Sequence, residues 1–382
     1  MMRISGDWLA EPGLQAVLAM LAAGGHRALL VGGAVRNALL GQAVADIDIA
    51  TDARPERVQE LAEAAGMRPV PTGIEHGTIT VVVQGVGHEV TTFRRDIETF
   101  GRHAVVGYAD TIEEDAARRD FTMNALYADA EGHVLDPLGE GLADLAARRV
   151  RFVGAPGDRI REDFLRILRF FRFTAWYGRP EAGPDADALA ACAEHAQGVA
   201  SLSRERVGAE MRKLLAAPDP APAMAAMQAA GVLAQVLPGA DARALGVLVH
   251  LEAGAAPDWL RRLGVLGGAG LAKALRLSRA DARALMALQA AVAGGEAAAV
   301  IGYRFGTDVG ANAMLVRAAL EGVAPPEDWQ AEIARGTAAR FPLKAADFAP
   351  GLSGAALGAR MKELEARWLA SGFALSRAEL LG

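Results

Sequence analysis

Asp46 and Asp48 stand two positions apart in the run DIDIAT, residues 46–51. In a strand, a period of two puts both carboxylates on one face and turns Ile47 and Ile49 toward a core. Carboxylates held side by side repel each other unless a cation lies between them. All-oxygen donors suit a hard ion, Mg2+, bound jointly by the carboxylates and the phosphates of a substrate. Just upstream, in LLVGGAVRNALLG (29–41), an apolar run meets Gly32-Gly33, and a helical pattern starts with Ala34, Val35 and Arg36. Glycines at a strand-to-helix junction let a phosphate approach backbone N–H groups at Gly33, and Arg36, one turn on, adds a charged fork. A solitary Gly-Gly is usually a turn, and a solitary Asp-x-Asp is usually a solvated strand face. In this order and at this spacing, the two together point to phosphate chemistry.

Two further groups could act with them. Arg119 and Asp120, in EEDAARRDFTMNAL (113–126), are an adjacent donor and acceptor suited to a phosphate and a 2′-hydroxyl. In REDFLRILRFFRF (161–173), Arg166, Arg169 and Arg172 recur every three residues along one helix flank, leaving Phe164, Leu165, Leu168 and Phe171 for the buried side. Nine arginines face only three acids between residues 148 and 179, so this stretch is locally basic. An arginine stripe usually lines a solvated face, but beside a carboxylate-bearing strand it can hold a triphosphate.

These residues need elements to position them. Before residue 150, β-like runs (RALLVGG 27–33, DIDIAT 46–51, GTITVVVQG 77–85, HEVTTF 88–93) alternate with helical stretches. The glycines in VVVQGVGHEV predict a hairpin, hence a sheet that is at least partly antiparallel. After residue 150, Ala, Leu and Arg recur at helical spacing and strands vanish. GAPGD (154–158) introduces a long helix predicted over about 159–177, and AAPDPAP (216–222) and GVAPPEDW (322–329) break the remainder. The fold class is α+β: a head with a mixed sheet at 1–147, then a helical neck (148–215), body (216–330) and tail (331–382).

Composition bounds the reading. The chain has 382 residues, 52% of them hydrophobic and 23% charged, with a net charge of −6, which excludes long disorder and a uniformly basic nucleic-acid coat. Cys192 is the only cysteine, which excludes a disulfide framework and a cysteine-rich zinc site. The opening MMRISGDWLAEPG lacks the layout of a secretion signal, and acids or glycines interrupt every long apolar run. The expectation is a cytoplasmic protein with no membrane association.

GGAVRxxLLG followed by DIDIAT resembles the head of the nucleotidyltransferase superfamily related to polymerase β. More narrowly, it resembles the class II CCA-adding tRNA nucleotidyltransferases and their relatives, the bacterial poly(A) polymerases. That family usually has Asp after the arginine, where this chain has Asn37, a position expected to brace the helix rather than bind metal. RRDFTMNAL resembles the family's ribose element. DPLGEGLADL (136–145) resembles its head-to-neck link, one residue longer than usual, with Asp136 and Asp144 structural. Glu162, Asp163 and Arg166 resemble the family's EDxxR protein template for the incoming base. A carboxylate accepts from the exocyclic amino group that cytosine and adenine share, and an arginine donates to a ring nitrogen or carbonyl, so uracil and guanine are refused. SRERVGAEMRKLL (203–215) resembles the element that buttresses the neck. Residues 93–115 resemble a flexible loop that admits ATP after CTP, and the C-terminal segment resembles a tail holding the tRNA elbow and acceptor arm.

The resemblance implies Mg2+-dependent addition of CCA to tRNA 3′ ends from CTP and ATP, with pyrophosphate released and no obligate protein partner. Asp46 and Asp48 would hold the metal, with Glu89 on the next strand a third acid or a structural residue. Gly33, Arg36, Arg119, Asp120, Glu162, Asp163, Arg166, Arg169 and Arg172 would bind the nucleotide. Rivals are a poly(A) polymerase, a CC-adding or A-adding partial enzyme, and a non-catalytic RNA-binding module on the same fold. The final residues ALSRAELLG lack the basic character of a polymerase extension. None of the seven histidines precedes an aspartate, so no His-Asp phosphohydrolase activity is expected.

Overall fold

The computed structural model describes residues 2–100, 103–253, 255–348 and 351–382. The chain divides into two compact units, Met1–Val236 and Leu237–Gly382.

The first unit is built on a seven-stranded sheet. Its strands are β1 (Leu29–Val31), β2 (Asp48–Thr51), β3 (Arg68–Gly73), β4 (Thr78–Val83), β5 (Val86–Thr92), β8 (Tyr127–Ala128) and β9 (Val134–Leu135). Their spatial order is β3-β4-β5-β2-β1-β8-β9. Only β2 and β5 run parallel, in the register Asp48↔Glu89 and Ile49↔Val90; all other pairs are antiparallel. The expected hairpin joins β4 to β5 through Gln84 and Gly85, at φ 50° and 87°, positive angles that a two-residue hairpin turn demands and glycine tolerates. Sequence patterning passed over β3, whose RPVPTG carries two prolines. It pairs at the sheet edge, where a missing N–H costs no ladder bond.

Helices α1 (Pro12–Ala23) and α3 (Pro55–Ala64) pack on the sheet, where Ile49, Ile79, Val81 and Val90 are fully buried. Helix α2 (Gly33–Leu39) follows β1, and α4 (Ile112–Ala117) and α5 (Gly141–Ala146) follow later in the head. Residues 93–115, expected as a loop, carry a second sheet of two antiparallel strands, β6 (Arg94–Phe100) and β7 (His103–Tyr108); the connection at 101–102 lies outside the described residues. The β-branched pair Val105-Val106 favours a strand that the polar composition of the stretch obscured.

The predicted helix over 159–177 is two helices, α6 (Pro156–Glu162) and α7 (Leu165–Tyr177). Asp163 breaks it: its backbone is extended (φ −155°, ψ 107°), and its Oδ1 accepts from the Leu165 N–H at 3.0 Å, a local bond that competes with helix continuation. Leu165, Ile167, Leu168, Phe170, Phe171 and Phe173 of α7 are buried, and Phe121, Phe152, Phe170 and Phe173 form a chain of ring contacts 4.9–5.8 Å apart. Phe164, expected inside, is half-buried. Helices α8 (Ala186–Glu194), α9 (Arg204–Leu215), α10 (Ala221–Ala229) and α11 (Val232–Val236) complete the unit, α9 and α10 packing on α7.

The second unit contains α12 (Leu245–Leu251), α13 (Trp259–Leu266), α14 (Leu271–Ala274), α15 (Arg279–Ala293), α16 (Ala298–Glu321), α17 (Trp329–Ala338), α18 (Gly354–Ala370) and α19 (Arg377–Leu381). Leu343, Leu364, Trp368, Leu369 and Leu380 form a core there. Glu252, buried, accepts from both Arg261 and Arg262, a satisfied ionic knot inside the helices. Among the described residues, no helix is long and apolar enough to cross a membrane.

Candidate nucleotidyl-transfer site

The site begins at one end of the sheet. Asp48 opens β2, opposite Val31 of β1 and beside Glu89 of β5. The strand was expected from Asp46. It starts at Asp48 because β1 ends at Val31, where the chain turns at Gly32 and leaves Asp46 without a cross-strand partner. Asp46, Asp48 and Glu89 are exposed, and among the described residues none of the three accepts a hydrogen bond or an ion pair. Although the residue is exposed, neighbouring protein atoms partly desolvate the Asp48 carboxyl and raise it above its ordinary value, and the charge of Asp46 adds to this, while Arg119 and Arg94 oppose it. A carboxylate pushed up in this way has negative charge left uncompensated, and hard oxygen donors in that state fit a divalent cation. A tighter trio of candidate ligands, Asp129, Glu131 and His133, lies in the β8–β9 turn. There Asp129 already accepts from the backbone N–H groups of Glu131 and His133 and lies 3.0 Å from His133 Nδ1, contacts that close the turn.

The glycine turn sits at the same sheet end. Gly32 has φ 66° and ψ −115°, a conformation open to glycine and strained for other residues. A Cβ added there would lie 3.4 Å from Arg119 Nη1. Arg119 is aimed by two neighbours: its Nε donates to the Tyr127 hydroxyl (2.9 Å) and its Nη2 to Asp115 (2.9 Å), and Tyr127 donates in turn to Asp115 (2.6 Å). Burial works against the Asp115 charge, but Arg119, the Tyr127 hydroxyl and the Arg94 N–H hold its carboxyl below the ordinary range. Among the described residues, Arg119 Nη1 has no hydrogen-bond partner and is left beside the turn.

Arg36 is placed differently from its expected phosphate role. It is 6% exposed and lies under the turn, donating to Asn37 Oδ1, Asn124 Oδ1 (2.5 Å) and the Tyr177 hydroxyl (2.7 Å), with the Tyr177 ring 4.0 Å from its guanidinium carbon. Asn37 braces the helix as expected: Oδ1 accepts from Arg36 and Nδ2 donates to the Ala43 carbonyl, a bond an aspartate could not make. Asp120 is likewise turned inward. It accepts from the Phe121 N–H, from Asn124 Nδ2 and twice from Arg169 (2.8 and 2.5 Å). Burial opposes its charge, and Arg169 with these donors holds the carboxyl low. Asp144 accepts from Thr122 and Arg151, and Asp136 closes its own turn, so both are structural as expected.

The neck arginines are cross-linked by acids. Glu162 takes Arg159 (2.6 Å) and Arg166; Asp163 takes Arg206 of α9 (2.5 Å); Glu210 of α9 takes Arg172 (2.6 Å) and stands 3.8 Å from Arg169. Sequence reasoning singled out neither Arg206 nor Glu210, although their i, i+4 spacing on an amphipathic helix was visible. Asn124 lay inside the RRDFTMNAL element without being singled out, and Tyr177 and Tyr127 carried no signal. Residues 118–120 join the two halves of the site. The carbonyls of Arg118 and Arg119 accept from Arg159, Asp120 holds Arg169, and the Arg119 side chain lies on the carboxylate side.

Residues 28–151 match the poly A polymerase head domain, and residues 184–243 match the probable RNA and SrmB-binding site of polymerase A. Over 211 residues the chain is 42% identical to the mitochondrial CCA tRNA nucleotidyltransferase 1 of Mus musculus, covering 54% of this chain and 48% of that one. Over 221 residues it is 41% identical to the CCA-adding enzyme of Geobacillus kaustophilus, covering 57% and 52%. The chain spans about half the length of the curated relatives it matches. The crystal structure of the Bacillus stearothermophilus CCA-adding enzyme in complex with CTP superposes with a TM-score of 0.69 at 27% identity, covering 94% of this chain and 92% of that one. The Thermotoga maritima CCA-adding enzyme complexed with tRNA shares the fold, with a TM-score of 0.69 at 16% identity and coverage of 100% and 98%. In sequence, the likeness to tRNA nucleotidyltransferases and poly(A) polymerases extends over about half of the chain.

Proposed function

We propose that the protein transfers CMP, CMP and then AMP from CTP and ATP to the 3′ end of tRNA lacking CCA, with release of pyrophosphate. The observation that carries this reading is the bridge at residues 118–120, which ties the carboxylate end of the sheet to the arginine-rich neck. Mg2+ on Asp46 and Asp48, with Glu89 in reach as a third acid, would activate the terminal hydroxyl and neutralise the triphosphate. The Gly32-Gly33 backbone and Arg119 Nη1 receive phosphate. Asp163 and Arg166 read the base, and each is supplied in the free protein with a counter-charge, Arg206 or Glu162, that the base must displace or share. Arg169 and Arg172 hold the acids that shape this wall. The lone cysteine, Cys192, is buried and unpaired, which suits the reducing cytoplasm.

Purified protein, Mg2+ and a tRNA ending before CCA test the proposal. CTP alone should add two residues, ATP alone none, and both together three. Arrest after two residues with both nucleotides present identifies a CC-adding enzyme, and a long A tail on unrelated RNA identifies a poly(A) polymerase. No incorporation under any condition would return the protein to the non-catalytic reading.

A further inference from the structure

We infer that Tyr177 is a positioning residue for nucleotide selection, clamping the glycine turn beside the carboxylates to the helix that follows the base-reading pair. The inference rests on the nucleotidyl-transfer reading above. Tyr177 is the last residue of α7, whose first turn carries Arg166, and its hydroxyl accepts from Arg36 Nη2 at 2.7 Å while its ring underlies the guanidinium at 4.0 Å. Arg36 lies beneath the turn: a Cβ added at Gly33 would be 3.8 Å from the same Nη2. The other arm of the guanidinium, Nη1, donates to Asn124, and Asn124 donates to Asp120, which grips Arg169 in the middle of α7. The turn is thus tied to α7 at two points, directly at its end and through Asn124 and Asp120 along its length.

The chemistry of the clamp is unusual for a buried cation. Arg36 is 6% exposed, and its hydrogen-bond partners are all neutral: Asn37, Asn124 and Tyr177. A buried guanidinium without a carboxylate partner is held by geometry, so each neutral acceptor matters. Removing the Tyr177 hydroxyl leaves a buried N–H without its acceptor, and the fork must rotate to find another. That rotation shifts the turn relative to α7, and displacements of about 1 Å at a reacting centre cost roughly a hundredfold in rate. A base that fits poorly then loses less than the correct one, and selectivity falls.

The experiment measures kcat/KM for CTP and for UTP on a tRNA ending before CCA, together with KM for that tRNA and the melting temperature. Tyr177→Phe should lower the CTP-over-UTP ratio at least tenfold, with the KM for tRNA unchanged and melting shifted by only a few degrees. Trp176→Phe, an exposed neighbour on the same helix, should change neither. Arg36→Gln puts a neutral amide in place of the buried cation but cannot span Asn124 and Tyr177; where it folds, the same loss of selectivity is expected. A ratio equal to that of the parent in either folded variant overturns the inference and leaves the proposed function intact. A parent protein that incorporates neither nucleotide overturns the proposed function first, and the clamp with it.

Discussion

Asp120→Asn tests the bridge between the carboxylate end and the neck. The carboxylate accepts four bonds: Phe121 N–H and Asn124 Nδ2 at Oδ1, and Arg169 Nε and Nη2 at Oδ2. An asparagine offers one accepting end and one donating end, so whichever way it turns, an N–H2 group confronts donors. The loss is one charge-assisted pair or two neutral bonds. Charged bonds contribute about 1.5–3 kcal/mol, and Arg169, one-third exposed and near Glu210, recovers part of that in solvent. The expected cost is about 2–3 kcal/mol, or about 4–12 °C in melting temperature for a unit of this size. Calorimetry at pH 7 measures it. The sign of its pH dependence follows from a carboxyl held below the ordinary range. Its stabilisation is complete above the unfolded-state value, about 3.9, and is lost as pH falls through the lower folded value. The difference between parent and variant should therefore narrow steadily as the pH falls below the unfolded-state value. A melting temperature within 1 °C of the parent at pH 7, or a gap that widens in acid, would refute the assignment of Asp120 as the structural bridge.

Asp46→Ala and Asp48→Ala should each abolish incorporation while leaving the melting temperature unchanged or slightly raised, because both side chains are exposed and repel each other; chelation of Mg2+ should reproduce the loss in the parent, and undiminished turnover in either variant would reject the metal assignment. Asp163→Asn and Arg166→Ala should reduce discrimination of CTP and ATP from UTP and GTP by more than tenfold in single-nucleotide assays, with Asp163→Asn also freeing Arg206. Gly32→Ala should cost about 1–3 kcal/mol through its left-handed backbone, read as a lower melting temperature, and should weaken nucleotide binding as its Cβ meets Arg119 at 3.4 Å.

The head was legible because its signals are local. The Gly-Gly junction, the period-two aspartates and the glycine hairpin each depend on a few adjacent residues, and the sheet places Asp48 beside Glu89 by register alone. Three features escaped local reading. Asp163, proposed to read the base, also makes the break between α6 and α7, and an arginine-rich helical pattern gave no warning of the break. The proline-bearing β3 needed a sheet edge to exist. Arg36 reads as a phosphate fork from its place after two glycines, but its partners Asn124 and Tyr177 come from 88 and 141 residues away. Distance along the chain is why its acceptors, and therefore its burial, were invisible.

The same distance changes the meaning of the arginine stripe. Counted along the sequence, Arg166, Arg169 and Arg172 are surplus positive charge awaiting a triphosphate. In the fold, Glu162, Asp120 and Glu210 meet them, and the side chains of Arg172 and Glu210 are only 13% and 8% exposed. A phosphate approaching Arg172 must displace a carboxylate that is already desolvated, which gains little, because the freed acid is left buried beside the incoming charge. Arg119 presents the opposite situation: two donors fixed by Tyr127 and Asp115, and a third, Nη1, without a partner among the described residues and beside the glycine turn. Arg169 and Arg172 therefore serve orientation, holding Asp120 and Glu210 in place. Under the proposed function, the phosphate contact falls to Arg119 and the backbone, where no internal acid has to be displaced.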